Sequence, residues 1–206
     1  MQFDERRFFK SVRASLFSGA LTVAQVEGMT ALIAGWRRNG GSEDNRRLAY
    51  CLATAFHETG GRMQPVRETF APSDRVAIAR LDRAYAAGLM PQVRTPYWRP
   101  DEDGLSWFGR GLVQITHRRN YETLGRAIGV DLVGDPARAL VLDVAVCVLV
   151  VGMRDGLFSG IKLADAFAPG VSPDWTGARR IVNGRDRAAL VAGHARAFHA
   201  AITGTG

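Results

Sequence analysis

Apolar residues recur at helical spacing over most of the chain, and the interruptions mark where helices begin and end. Asp4 stands ahead of Phe8, Phe9, Val12 and Leu16, which predicts a first helix capped by the aspartate and closed at Ser18-Gly19. Thr22-Val23-Ala24-Gln25 has the spacing of a capping box, in which the two end side chains satisfy free backbone N–H groups reciprocally. Val26, Met29, Leu32, Ile33 and Trp36 follow on one face. Gly40-Gly41-Ser42 breaks and recaps the chain. Leu48, Cys51, Leu52, Ala55 and Phe56 then form the inner face of a third helix, which Gly60-Gly61 ends.

The pattern changes at Arg62. Pro65, Pro72, Pro91, Pro96 and Pro100 forbid long regular structure up to Ser106. The exception lies between Ser73 and Gly88, where Val76, Ile78, Leu81, Ala84 and Tyr85 predict a serine-capped helix. Phe108 to Thr116 reads as short extended or irregular chain. Helical spacing resumes after His117 with Tyr121, Leu124 and Ile128, and Asp135-Pro136 supplies a cap and first turn for a long apolar helix ending near Gly156. Three further helices are predicted at Lys162 to Phe167, Trp175 to Val182 and Asp186 to Ile202. The chain is thus expected to be mainly α with one loop-rich lobe, and no repeat, linker or low-complexity tract divides it.

Composition narrows the class. The 206 residues, 47% hydrophobic and 23% charged, suit one soluble globular unit and exclude a disordered chain, a collagen-like repeat or a disulfide-stapled miniprotein. Twenty-seven basic residues, all arginine but Lys10 and Lys162, stand against 20 acidic ones for a net charge of +7. That balance favours an anionic partner such as nucleic acid, an acidic envelope polymer or a membrane surface, although a bias toward arginine codons produces the same numbers. Cys51 and Cys147 each lie in an apolar stretch and read as two buried thiols of a reducing compartment. The N-terminus has acids before Arg6-Arg7 and no uninterrupted apolar run, so no signal peptide is expected and synthesis is expected in the cytoplasm. The most apolar segment, residues 139–153, contains Asp143 and falls short of the roughly 20 residues that span a bilayer. It is expected as a buried core helix.

Three stretches carry candidate chemistry. His57-Glu58-Thr59-Gly60-Gly61 puts Glu58 at a helix C-terminus, where aligned carbonyls disfavour a negative charge, and three residues from Ala55 at the edge of the apolar face. A carboxyl held protonated is what glycosidic-bond cleavage needs as its general acid, while a solvated glutamate at a frayed helix end is the plain alternative. A zinc-protease site needs a second histidine where Gly61 stands, and His117, His194 and His199 have no ligand spacing, so neither metal nor cofactor is expected. A glycosidase needs a second carboxylate, and Glu68, ten residues on across the Gly-Gly turn, leads over Asp74, Asp101, Glu102 and Asp103. The third stretch, Trp107-Phe108-Gly109-Arg110-Gly111-Leu112-Val113-Gln114-Ile115-Thr116 with Asn120-Tyr121, mixes aromatic rings, glycines and uncharged hydrogen-bonding groups, as sugars require. Gly109 and Gly111 lack a third glycine at 114, so a dinucleotide loop is unsupported.

Taken in order with Arg180-Ile181-Val182-Asn183-Gly184, these stretches resemble glycoside hydrolase family 19, in the compact bacterial and bacteriophage branch that includes chitinase-like proteins and endolysins. The likeness covers Ser42 to the C-terminus, with residues 1–40 read as two helices packed on that catalytic core. It implies a lysozyme-like, two-lobed helical fold with a cleft between lobes, and inverting hydrolysis of β-1,4 bonds in peptidoglycan or chitin. It assigns Glu58 as general acid, Glu68 as the base holding the attacking water, and Thr116 as a second holder of that water. Gln114, Asn120 and Asn183 match positions that bind the sugar N-acetyl and hydroxyl groups, and His57, Trp107 and Tyr121 are further candidates for substrate binding. Two departures stand out: plant-type members carry their second glutamate further along, and Arg119 stands where some chitinases have a tyrosine.

Charge separates the two polymers, because peptidoglycan carries peptide carboxylates and chitin carries none. A protein of +7 is therefore expected on the cell wall, as a monomer that reaches it by release through another route. The rival reading is a nucleic-acid binder using Arg37-Arg38, Arg46-Arg47, Arg118-Arg119 and Arg179-Arg180, but these pairs are scattered and belong to no nucleic-acid motif.

Overall fold

The computed structural model describes residues 3–205. Its helices are α1 (Glu5–Ser15), α2 (Val23–Asn39), α3 (Asn45–Glu58), α4 (Asp74–Ala86), α5 (Arg118–Ile128), α6 (Leu142–Asp155), α7 (Leu163–Ala166) and α8 (Ala188–Thr203). Short 3-10 turns occupy Glu68–Phe70, Pro136–Leu140 and Gly177–Ile181. The strands are two-residue pieces, β1 (Val66–Arg67) and β2 (Arg110–Gly111), paired antiparallel with Val66 opposite Gly111 and Arg67 opposite Arg110.

Local chemistry sets these boundaries. Asp4 accepts from Arg7 N at the start of α1, and the capping box of α2 forms with Thr22 Oγ1 accepting from Gln25 N and Gln25 Oε1 from Thr22 N. The cap of α3 is Asp44 rather than Ser42, because Ser42 turns back to accept from Asp44 N while Asp44 takes the helical N–H of Arg46. Asp135-Pro136 caps the 3-10 turn Pro136–Leu140, not the long apolar helix; the chain is extended at Val141 and α6 begins after it. The predicted helix at Trp175 to Val182 is likewise a 3-10 turn.

Two apolar clusters make two lobes. The larger joins α1, α2, α3, α5, α6 and α8, with α3 packed on α8 as its most extensive contact and Phe8, Trp36, Tyr50, Leu149 and Phe198 fully enclosed. The smaller gathers Ala71, Ala77, Leu81, Trp98 and Phe108 with Tyr85 and Tyr97 around α4, which gives the proline-rich lobe its own core. Cys51 and Cys147 are free; Cys51 is buried, whereas Cys147 is only half-buried, with Asn39 against its sulfur. No helix among the described residues is long and apolar enough to cross a membrane.

Candidate active site

Glu58 is the last residue of α3, and its carboxylate meets Arg179 of the 3-10 turn Gly177–Ile181. Gly60 and Gly61 both adopt left-handed backbone (φ +56° and +77°), which lets the chain reverse immediately after the glutamate. The reversal is clamped from three sides: Thr59 Oγ1 accepts from Met63 N, Gln25 Nε2 donates to Gly61 O at 3.0 Å, and Gln64 Nε2 donates to Ala24 O. The capping residue of α2 thus also fixes the turn beside Glu58. Arg62 then stacks on the Phe70 ring, which also lies against Gly60, so the segment carrying Glu68 folds back onto the end of α3.

Glu58 is mostly buried, with Oε1 taking a 2.7 Å hydrogen bond from Arg179 Nη1, whose side chain is 2% exposed. Arg179 Nε also donates to the Asp186 carbonyl, so one guanidinium ties the glutamate to the Asn183–Arg187 loop. His57 beside the glutamate is pushed down by burial and by Arg179 and Arg187, against the opposing charge of Glu58, and is neutral near pH 7.

Glu68 is held by two donors. Tyr97 OH reaches Oε1 at 2.8 Å and Gly109 N reaches Oε2 at 2.7 Å, while the Glu68 N–H donates to the Gly109 carbonyl. Burial and then the Glu68 charge push the Tyr97 phenol up, so it keeps its proton and donates. Gly109 has no room for a side chain: an added Cβ would lie 2.8 Å from Gln114 Oε1 and 3.3 Å from Glu68 Oε2. His117 packs on Tyr97 at 4.6 Å between ring centroids; burial and Arg119 push it down, against the charge of Glu68. Seven non-glycine residues have positive φ among the described residues, and five of them, Met63, Thr69, Phe70, Gln114 and His117, fall in the stretch 63–117 that carries Glu68 and its donors. Such backbone persists only where the surroundings over-determine it, and it clusters at functional sites.

Several residues predicted to meet sugar make contacts within the scaffold. Tyr121 is fully enclosed, its hydroxyl donating to Phe108 O and accepting from Arg110, and burial pushes the phenol up to about 12. Trp107 is buried edge-on against Tyr121, with Nε1 on Asp101. Both Nε2 hydrogens of Gln114 go to the carbonyls of Val66 and Gly111, so this amide clamps β1 to β2 and only its oxygen faces the Gly109–Glu68 pocket. Asn120 Nδ2 donates to the Thr116 carbonyl, fixing the entry to α5 on which Thr116 sits half-buried. Asn183 is exposed at the Arg179 end of the site.

Two of the competing acids, Asp74 and Asp101, are engaged within the fold. Asp74 bridges Arg67 and buried Arg110; burial pushes its carboxyl up, but the two guanidinium groups outweigh that and hold it below the usual range. Asp101 organises its loop through the N–H groups of Asp103 and Leu105. Sequence reasoning missed Arg179, Tyr97 and Arg110. Nothing distinguishes buried Arg179 from exposed Arg180 in the sequence, and the one local signal for Tyr97 is its place in Pro96-Tyr97-Trp98.

No group of three or more His, Cys, Asp or Glu side chains able to hold a metal occurs among the described residues. The constellation that remains is two carboxylates from different elements, one under an arginine and one under a phenol and a backbone amide, which is the equipment of acid–base hydrolysis.

Several known proteins are similar to this chain. Chitinase 12 of Oryza sativa subsp. japonica is 29% identical over 136 residues, which covers 65% of this chain and 41% of that protein. Endochitinase 4 of Solanum tuberosum is 54% identical over 37 residues, 18% of this chain and 12% of that one. The chain therefore spans less than half the length of these curated relatives. Chitinase C from Streptomyces griseus superposes with a TM-score of 0.54 at 18% identity, over 98% of this chain and 92% of its own, so the two share the lysozyme-like helical fold. The family model for class I chitinases matches residues 21–151, a span that contains α2, Glu58, Glu68 and the Gly109–Thr116 stretch. With that match extending over more than half its residues, the chain belongs to glycoside hydrolase family 19.

Proposed function

We propose that the protein is an inverting glycoside hydrolase that cuts β-1,4 bonds in a polymer of N-acetylated sugars, with Glu58 as general acid and Glu68 as general base. The observation that carries this reading is the unequal treatment of the two carboxylates. Glu68 accepts two hydrogen bonds from groups that keep their protons, the support a base needs to hold and polarise a water. Glu58 ends a helix, largely withdrawn from solvent, with no hydrogen-bond partner for its second oxygen among the described residues, which leaves that oxygen available to a glycosidic oxygen. Inversion places the water on the face opposite the leaving group, so the two glutamates would act from the two lobes. Thr116 would help hold the water, and His57 and Asn183 would line the cleft.

Peptidoglycan is the preferred polymer, on the strength of a +7 protein and an anionic wall, and the protein would act there as a monomer after release from the cytoplasm. Chitin is the second reading, favoured by the names of the relatives. Mass spectrometry of fragments released from purified peptidoglycan and from a chitin oligosaccharide, by wild type and Glu58→Gln, separates them. Muropeptides from the wild type alone support the cell-wall reading, and oligosaccharide cleavage alone supports the chitinase. No release from either polymer would refute the hydrolase.

A further inference from the structure

Beside the Glu58–Arg179 pair lies an open groove of about 840 Å³, lined by Arg180, Arg185 and Arg187 with Asp174, and floored by Ala188, Ala189 and half-exposed Leu190. Arg179, next to Arg180 in the chain, links the groove's loop to Glu58. Arg179 donates through Nη1 to Glu58 and through Nε to the carbonyl of Asp186, the residue between Arg185 and Arg187. Arg187 also acts electrostatically on His57, the neighbour of Glu58.

Charge in the groove is unbalanced. Asp174 is its only acid, and it is engaged by Gly177 N at 2.7 Å and faces Arg180 at 3.8 Å. Arg185 and Arg187 have no carboxylate within ion-pairing distance among the described residues. Arg187 is held in a left-handed conformation (φ +51°) as the residue before α8, and no side chain caps that helix, whose free N–H groups add to the positive potential. Guanidinium groups bind carboxylates through paired, planar hydrogen bonds, and the apolar floor suits short alkyl side chains.

Resting on the hydrolase reading above, we propose that this groove binds carboxylate-bearing peptide substituents of the glycan being cleaved, so that Arg185 and Arg187 select a peptide-substituted, anionic strand over a neutral one. A polymer of N-acetylglucosamine alone offers these charges nothing.

The test uses the full chain carrying Glu58→Gln, so that ligands are not consumed, and isothermal titration with two ligands: a chitin tetramer and a peptidoglycan tetrasaccharide bearing tetrapeptides. Adding Arg185→Gln and Arg187→Gln together is expected to weaken the peptide-bearing ligand about ten-fold while changing the chitin tetramer less than two-fold, as for two solvent-accessible charge pairs. Arg185→Glu with Arg187→Glu is expected to weaken it further, and both positions are exposed, so circular dichroism should match the parent. Equal losses on both ligands, or no loss on the anionic one, would overturn the groove assignment and leave the hydrolase standing. Binding of neither ligand by the parent would overturn both.

Discussion

At the scale of single residues, the site depends on groups that hold the carboxylates rather than on the carboxylates alone. Tyr97→Phe removes one of the two donors on Glu68 and leaves the ring packing on Trp98 and His117 intact. The expected result is a fall of about ten-fold in kcat with little change in KM, the loss of one hydrogen bond to a charged group, read from steady-state kinetics on an oligosaccharide. Gly109→Ala pushes a methyl against Gln114 Oε1, and Gln114 cannot swing away without giving up the Val66 and Gly111 carbonyls. A cost of about 1–3 kcal/mol in urea denaturation is expected, together with reduced turnover. Both glutamates and the Gly109 stretch stand out in the sequence because their residue types and order are those that glycosidic-bond cleavage calls for. Tyr121 and Trp107 show the limit: an aromatic ring suits a sugar face and an apolar core equally, and only packing tells which it meets.

At the scale of elements, caps and turns were legible wherever short-range hydrogen bonds decide them. The α2 capping box and the Ser73 cap of α4 follow from side chains three residues from their partners. What the sequence could not show is pairing at a distance. The β1–β2 pairing is two residues long on each side, too short for alternation to register, and it holds through Gln114 and the Arg67–Asp74–Arg110 bridge. The Asp135-Pro136 cap was visible but led to the wrong element, since the break at Val141 lies inside an apolar run. The bridge makes a pH prediction. Because the Asp74 carboxyl is held below its ordinary value in the folded chain, its contribution to stability is present above the unfolded value near 3.8 and is lost as pH falls through the folded value. Asp74→Asn should therefore destabilise the protein at pH 7, and the gap from wild type in urea denaturation should close below about pH 3.8. A gap that widens on acidification would contradict the assignment.

At the scale of the whole molecule, two separate apolar cores explain why the loop-rich lobe is ordered despite its prolines: Trp98 and Phe108 give it a centre of its own. The arginine excess is unevenly used. Arg46 and Arg47 serve Asp44 and the Phe167 carbonyl, Arg110 and Arg179 are buried in the site, and Arg118 faces Asp101 and Asp103. Several of the doubled arginines seen in the sequence are therefore committed within the fold, whereas Arg185 and Arg187 face no carboxylate within ion-pairing distance among the described residues. Long-range attraction to an anionic wall is screened as the Debye length shrinks from about 30 Å at 0.01 M salt to about 8 Å at 0.15 M. Cleavage of peptidoglycan should accordingly slow several-fold over that range in a turbidity assay, while cleavage of a neutral chitin oligosaccharide should stay nearly constant.

The most direct test of the two-glutamate mechanism is the configuration of the first sugar released from a β-linked oligosaccharide, followed by proton NMR before the anomers equilibrate. The mechanism predicts the α-anomer from the wild type and a rate reduced at least about a hundred-fold in Glu58→Gln, the loss of a general acid. A β-anomer as first product, or turnover by Glu58→Gln close to that of the wild type, would contradict it.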